Sequence, residues 1–277
     1  MHETISKSVA APTSEKRIAA VAVLGTSTSM GKSTISDVTA SFFRAAGVAV
    51  HTVRVESGRR RAEFPAGDSF VDLDRVEDAV HAVGGVASLF DEPWRRIKDA
   101  MTGRHVVVID CGAGGQDVLL DVAGSTGLAD VMAAGGTCLS NLILVTPDAE
   151  STRQAARLVA EVRERMPAAG ILLAVNHLNP GQRPGLDTPQ ARAVSAILKP
   201  LGVARIDIPF CGAQALAAFA DSRRSILEIL RADEAQLVRW TRKGELASLA
   251  AQAHLAAWWR AIIDQFGTVW PFAAPNR

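Results

Sequence analysis

A run of apolar residues, Ile18 to Leu24 (IAAVAVL), passes directly into a glycine-bounded loop, Gly25 to Gly31, and then into Lys32-Ser33-Thr34 and a helical pattern. The apolar run is too short for a helix of its own and reads as a buried strand. Ser33 to Ala46 reads as a helix closed by Gly47. A strand that feeds a helix through a short loop is the opening of a βαβ unit, and such units build parallel sheets covered on both faces.

The same alternation runs down the chain. Val48 to Val55 reads as a strand, Arg75 to Val83 and Pro93 to Met101 as helices, and His105 to Gly115 as an apolar strand ending in an acid and glycines. Strands are expected again over Asn141 to Pro147, Gly170 to Pro180 (with a turn at its end) and Val203 to Phe210. Ala149 to Arg165 and Pro189 to Leu198 read as helices, and further helices follow to about Phe266. The expected fold class is α/β, a doubly wound, mostly parallel sheet with helices on both faces, carrying a C-terminal helical extension. The expected division is a flexible N-terminus over 1–17, a nucleotide-binding domain over 18–232 and the extension over 233–277.

Composition narrows the function. Of 277 residues 48% are hydrophobic, enough for a large core, and the formal charge of +1 gives no general attraction to polyanions. Cys111, Cys138 and Cys211 lie far apart, which fits a reducing, cytoplasmic setting and neither a disulfide framework nor a zinc site. Residues 1–17 contain no apolar core of the signal-peptide kind, and no apolar run is long enough to span a bilayer. The histidines show no metal-ligand spacing, and no nucleophile–base motif stands out.

The loop carries the chemistry. Phosphate binding needs inward-turned backbone N–H groups, a helix N-terminus behind them and a lysine, with a hydroxyl for Mg²⁺. Thr28, Ser29, Met30 and Gly31 supply the backbone, Lys32 reaches β- and γ-phosphates, Ser33 is placed for Mg²⁺ and Thr34 for the α-phosphate. A standard loop of this type has glycine at position 26, and here that residue is Thr26, with Gly25 one place earlier. Asp110, at the carboxyl end of its strand, is a second candidate metal-side group, since ligands of doubly wound folds gather at strand carboxyl ends. Gly112, Gly114 and Gly115 behind it let the backbone approach a γ-phosphate and move when that group leaves.

The string Gly25-Thr26-x-Thr28-x-x-Gly31-Lys32-Ser33 resembles the loop of dethiobiotin synthetase and of the cobyrinate-type amide synthases. The order from this loop to "VVIDCGA" and "IP" resembles the ParA/MinD-type P-loop ATPases, over about Ile18 to Ile229. That resemblance implies ATP and Mg²⁺ as cofactors, slow ATP hydrolysis and nucleotide-dependent dimerisation. It also implies a protein partner or a DNA-bound complex, in plasmid partition, conjugative transfer or cargo positioning. It implies roles for Lys32, Glu56 and Asp110 in catalysis, Glu56 by positioning the attacking water, with Ser33 and Asp110 at the metal. Asn176 would read the adenine, with Pro209 and Phe210 along the ring. The MinD/ParA branch carries a further lysine early in the loop; Ser27 stands there, and no lysine precedes Lys32. Glu56 follows Arg54 where ParA-like proteins have Asp-x-Asp, and in dethiobiotin synthetase a substrate-handling lysine falls near Arg54.

Two surfaces raise the question of partners. Leu255, Trp258, Trp259, Ile262 and Phe266 recur at helical spacing without the basic face of a membrane-surface helix, so packing on the domain or on a second subunit is expected. Arg239 to Lys243 (RWTRK), with Arg223 and Arg224, is a candidate for sequence-independent contact with DNA phosphates. The expectation is a homodimeric ATPase switch. The rivals are an ATP-dependent synthetase and a nucleotide-binding regulator without turnover.

Overall fold

The computed structural model describes residues 17–25, 30–64, 67–179, 188–222 and 224–270. Seven strands form one sheet in the order β3-β2-β4-β1-β5-β6-β7, with every pairing parallel. They are β1 (Arg17–Leu24), β2 (Ala49–Glu56), β3 (Ser69–Asp72), β4 (His105–Cys111), β5 (Thr137–Val145), β6 (Gly170–Asn176) and β7 (Ala204–Ile208). The chain leaves β1 toward β2 on one side and later takes up β5 on the other. The switch of direction therefore lies at the carboxyl end of β1, where such sheets open a crevice for ligands.

Helices cover both faces. On one lie α1 (Lys32–Ala45), α8 (Ala213–Phe219), α9 (Ile226–Arg231), α10 (Glu234–Thr241) and α11 (Glu245–Val269). The other face is covered by α3 (Asp91–Thr102), α4 (Gly115–Ser125), α5 (Leu128–Ala134), α6 (Ala149–Arg165) and α7 (Pro189–Leu198); a short α2 (Val76–Val80) precedes α3. Alternation along the central strands serves both layers. Val21, Val23, Val106 and Val108 join the α1 core, while Ala20, Ala22, Val107 and Ile109 join the opposite one. The strands are apolar throughout because both faces are buried.

Several expectations shift. β4 stops at Cys111, and Gly115 already belongs to α4, so the glycines after Asp110 form a turn and a helix start. α4 and α5 were hidden by glycines: α4 opens on Gly115 and contains Gly124. α2 is only five residues long and ends before the glycine pair at 84–85. Edge strand β3 is four residues bounded by acids, and polar contacts fix it, including a 2.5 Å hydrogen bond between His51 and Ser69. The sheet is wholly parallel, where a mostly parallel one was expected.

The aromatic stripe of α11 packs within the chain. Trp258 and Trp259 are buried, and Phe266 is fully so, its ring 5.3 Å from that of Phe42 and 4.9 Å from that of Trp270. Trp258 Nε1 donates a 2.7 Å hydrogen bond to the Pro209 carbonyl, satisfying its polar edge. Phe272 lies outside the described residues, as do residues 1–16.

Candidate functional site

The period of two that builds the cores also places the polar groups. Val106 and Val108 face α1, so Asp110 does too; on β2 the same side carries Arg54 and then Glu56, while Val53 and Val55 point to the opposite layer. Apolar alternation thus gives way to charge at the carboxyl ends of β2 and β4, beside the start of α1. Register pairs Arg54 directly with Asp110.

The α1 N-terminus has the form an anion requires. Gly31 is its N-cap at φ 83°, a left-handed conformation that glycine adopts at low cost. No side chain caps the helix and no acid lies in its first turn, so the first amides and the positive end of the helix are left for a ligand. Lys32 is buried and folds back, its Nζ donating to the Gly25 carbonyl at 3.1 Å. Burial holds its amine below the ordinary lysine range, against the pull of Asp110, Cys111 and Glu56. Met30 is buried in the loop. Thr26, Ser27, Thr28 and Ser29 lie outside the described residues.

Two contacts that sequence reasoning missed hold this loop. The side-chain amide of Asn176, at the end of β6, donates to the Met30 carbonyl at 2.8 Å. Gln116, in the first turn of α4, accepts from the Gly25 N–H at 3.1 Å, tying the turn after Asp110 to the start of the loop. The glutamine follows a glycine run and carries no local signal of this contact.

Glu56 is buried, accepting from the Ser57 N–H at 3.0 Å and from Arg60 Nη1 at 2.6 Å. Its carboxylate lies against Gly112, where a Cβ would overlap it. The Gly112 N–H donates to the Val55 carbonyl at 2.9 Å, and a Cβ on Gly115 would strike that same carbonyl. Glycines 112 and 115 are therefore demanded by close approach of β2. Gly114 is required at the α4 N-cap by its φ of 76°.

Asp110, 3% exposed, accepts from Ser36 Oγ at 3.0 Å and from Arg54 Nη1 at 2.7 Å. Arg54 also donates to Asp68 at 2.9 Å and to Asp37 at 2.8 Å, and against burial Asp37 and Asp110 hold its guanidinium above its ordinary range. The structure commits Arg54 to acids of its own chain. In the following run Arg59-Arg60-Arg61, Arg60 binds Glu56 and Arg61 lies 5.6 Å from the Phe70 ring centre.

The structure brings Met30, Gly31, Lys32, Ser33, Thr34, Glu56, Asp110, Gly112 and Asn176 to the strand carboxyl ends around the α1 N-terminus. Pro209, one residue beyond β7, presents its carbonyl to Trp258. A cavity of about 740 Å³ opens beside Ser33 and Thr34, walled by Arg54, Phe64, Leu216 and Phe219. A second, of about 780 Å³, is lined by Arg44, Arg224, Arg231, Arg239 and Trp240. Its Glu228 is paired with Arg224 at 3.1 Å, leaving a surplus of positive charge. Arg223 lies outside the described residues.

The phosphate half of a nucleotide fits this cradle: an uncapped helix start, a left-handed glycine and a buried lysine. Among the described residues no cluster of His, Cys, Asp and Glu is placed to hold a metal by itself. A Mg²⁺ here would draw on Ser33, phosphate oxygens and water.

The all-parallel sheet order, reversing at the carboxyl end of β1, defines a doubly wound α/β fold. In particular, a chain of the MinC:MinD cell division protein complex of Aquifex aeolicus superposes with a TM-score of 0.51 at 17% identity, covering 86% of this chain and 95% of that one. The MinD cell division protein of Aquifex aeolicus gives a TM-score of 0.48 at 16% identity, with 86% and 96% covered. No family model matches the chain, and no curated protein matches it in sequence.

Proposed function

We propose that this protein is a ParA/MinD-like switch that binds ATP with Mg²⁺ and hydrolyses it slowly. The observation that carries the reading is the α1 N-terminus, uncapped behind a left-handed Gly31, with Lys32 folded into the loop. Lys32 and the loop amides would bind the β- and γ-phosphates, Thr34 the α-phosphate, and Ser33 the metal. Mg²⁺ would supply neutralisation of the phosphate charge. Glu56 is the candidate for orienting the attacking water, and Asp110 for the metal's water shell. Both are engaged by arginines, and the loop lacks a second lysine, so turnover is expected to be slow. Asn176, which clasps the loop, and Pro209 are the candidates for contact with adenine.

The glycine turn after Asp110 and the segment after Glu56 touch the nucleotide region and lead to the surface, which suits a state-dependent dimer or partner contact. The arginine-lined cavity suits a phosphate-bearing partner, non-specific DNA included; plasmid partition, conjugative transfer and cargo positioning are the settings this reading favours. Three free cysteines fit a reducing, cytoplasmic compartment. No described helix is long and apolar enough to cross a membrane.

The cavity of about 740 Å³ beside Ser33 and Thr34 supports a second reading, a synthetase that phosphorylates or ligates a small molecule held there. Phosphate release from ATP by the protein alone, beside Lys32→Ala, separates the two. Slow release abolished by the substitution supports the switch. Release that requires an added carboxylate or amine substrate supports the synthetase, and ATP binding without release under either condition leaves a non-hydrolysing regulator.

A further inference from the structure

Arg54 is 3% exposed and ties together three parts of the chain: Asp37 on α1, Asp68 just before β3, and Asp110 on β4. Its guanidinium carbon lies 4.9 Å from the centre of the Phe64 ring. The same ring carries Arg60 at 5.5 Å, and Arg60 holds Glu56. The two acids at the strand ends are thus each occupied by an arginine, and both arginines rest on one aromatic side chain. Asp110 has its other oxygen on Ser36, one helical turn beyond Ser33, while the Ser33 hydroxyl has no hydrogen-bond partner among the described residues. Both carboxylate oxygens of Asp110 are therefore engaged by groups of the chain.

We propose that Arg54 is a positioning residue, the resident cation of Asp110, and that it couples metal occupancy of the nucleotide site to the placement of the segment 57–64. The proposal rests on the reading of the α1 N-terminus as that site. Asp110 could serve a Mg²⁺ at the site only on leaving Arg54 and Ser36. Arg54 then keeps Asp37 and Asp68 and moves with them, Phe64 follows, and the hold of Arg60 on Glu56 loosens. The metal's gain at Asp110 is offset by the lost charge-assisted pair, so the metal adds little to nucleotide affinity in the native chain.

The test is the ratio of dissociation constants for a fluorescent ATP analogue in EDTA and in Mg²⁺, for the native protein, Arg54→Gln and Arg54→Lys. The expected native ratio is below about fivefold; in Arg54→Gln, with Asp110 released, it rises at least about tenfold, and in Arg54→Lys, with the charge kept, it stays near native. A purely structural role changes both affinities together and leaves the ratio unmoved. A native ratio above about fivefold, or an unchanged ratio in Arg54→Gln, overturns the proposal. If Arg54→Gln does not fold, Phe64→Ala replaces it, since it unpairs no charge; it should raise the ratio and open the segment to protease, and an unchanged ratio overturns the coupling. Failure to bind the analogue in either buffer counts against the nucleotide reading instead. Mn²⁺ with inorganic triphosphate, which supplies the phosphate oxygens, then decides the role of Arg54 by spin resonance: metal binding gained in Arg54→Gln supports it, and equal binding by both proteins overturns it.

Discussion

The side-chain amide of Asn176 donates a 2.8 Å hydrogen bond to the carbonyl of Met30, joining the end of β6 to the glycine-bounded loop 146 residues earlier in the chain. A Cβ on Gly31 would come within 3.1 Å of the same amide nitrogen, so loop and strand end are fitted to each other. Truncation to Asn176→Ala leaves a buried carbonyl unpaired, at a cost of about 1–3 kcal/mol. Thermal melting should show the loss, and ATP affinity should fall with it. A variant with native stability and native affinity would show that the contact does not support the loop.

Gly112→Ala should be more disruptive than its size suggests. The added methyl overlaps the Glu56 carboxylate, which is confined by Ser57 and Arg60. Displacing a buried side chain in a packed site costs about 1–3 kcal/mol. The expected outcome is a folded protein of lower melting temperature whose phosphate release falls further than its ATP affinity, and paired measurements of release and binding check it.

Asp207 accepts from His177 at 3.0 Å and from Arg205 at 2.8 Å. Burial works to raise its pKa, but these two donors prevail and hold the carboxyl below its ordinary value. A depressed folded-state pKa contributes stability above the unfolded pKa, and that stability is lost as pH falls through the folded value. The native protein should lose urea resistance below about pH 4 more steeply than Asp207→Asn does. Parallel curves for the two proteins would remove Asp207 as a contributor.

Phe266 is fully buried between Phe42 on α1 and Trp270. Phe266→Ala should destabilise the chain by about 3–5 kcal/mol, the range for large aromatic truncations in a core. Because α1 carries both Phe42 and Lys32, loss of this packing should also weaken nucleotide binding. Denaturation followed by tryptophan fluorescence and an ATP titration on the same preparation measure the two effects.

Much of this arrangement was legible in the sequence. The strand, loop and helix around Lys32, the buried strands and α6 follow from periodicity and glycine placement, which are local signals. Edge strand β3 was not, because four residues between acids carry no hydrophobic pattern; His51, Arg54 and sheet register fix it. Helix α4 was obscured by Gly115, which close approach of Val55 demands, and α5 by the left-handed Gly127 at its N-cap. The engagement of Arg54 by Asp37, Asp68 and Asp110 depends on how β2, β4 and α1 come together, and no spacing along the chain encodes that. The same holds for Gln116, whose partner Gly25 lies 91 residues away.

The central claim is that ATP binds at the N-terminus of α1. Calorimetric titration of ATP into the native protein and into Lys32→Ala tests it most directly. The account predicts one site per chain in the native protein and an affinity at least about tenfold weaker in the variant, whose fold is unchanged by melting. No heat of binding in the native protein, or equal affinity in both, would contradict it.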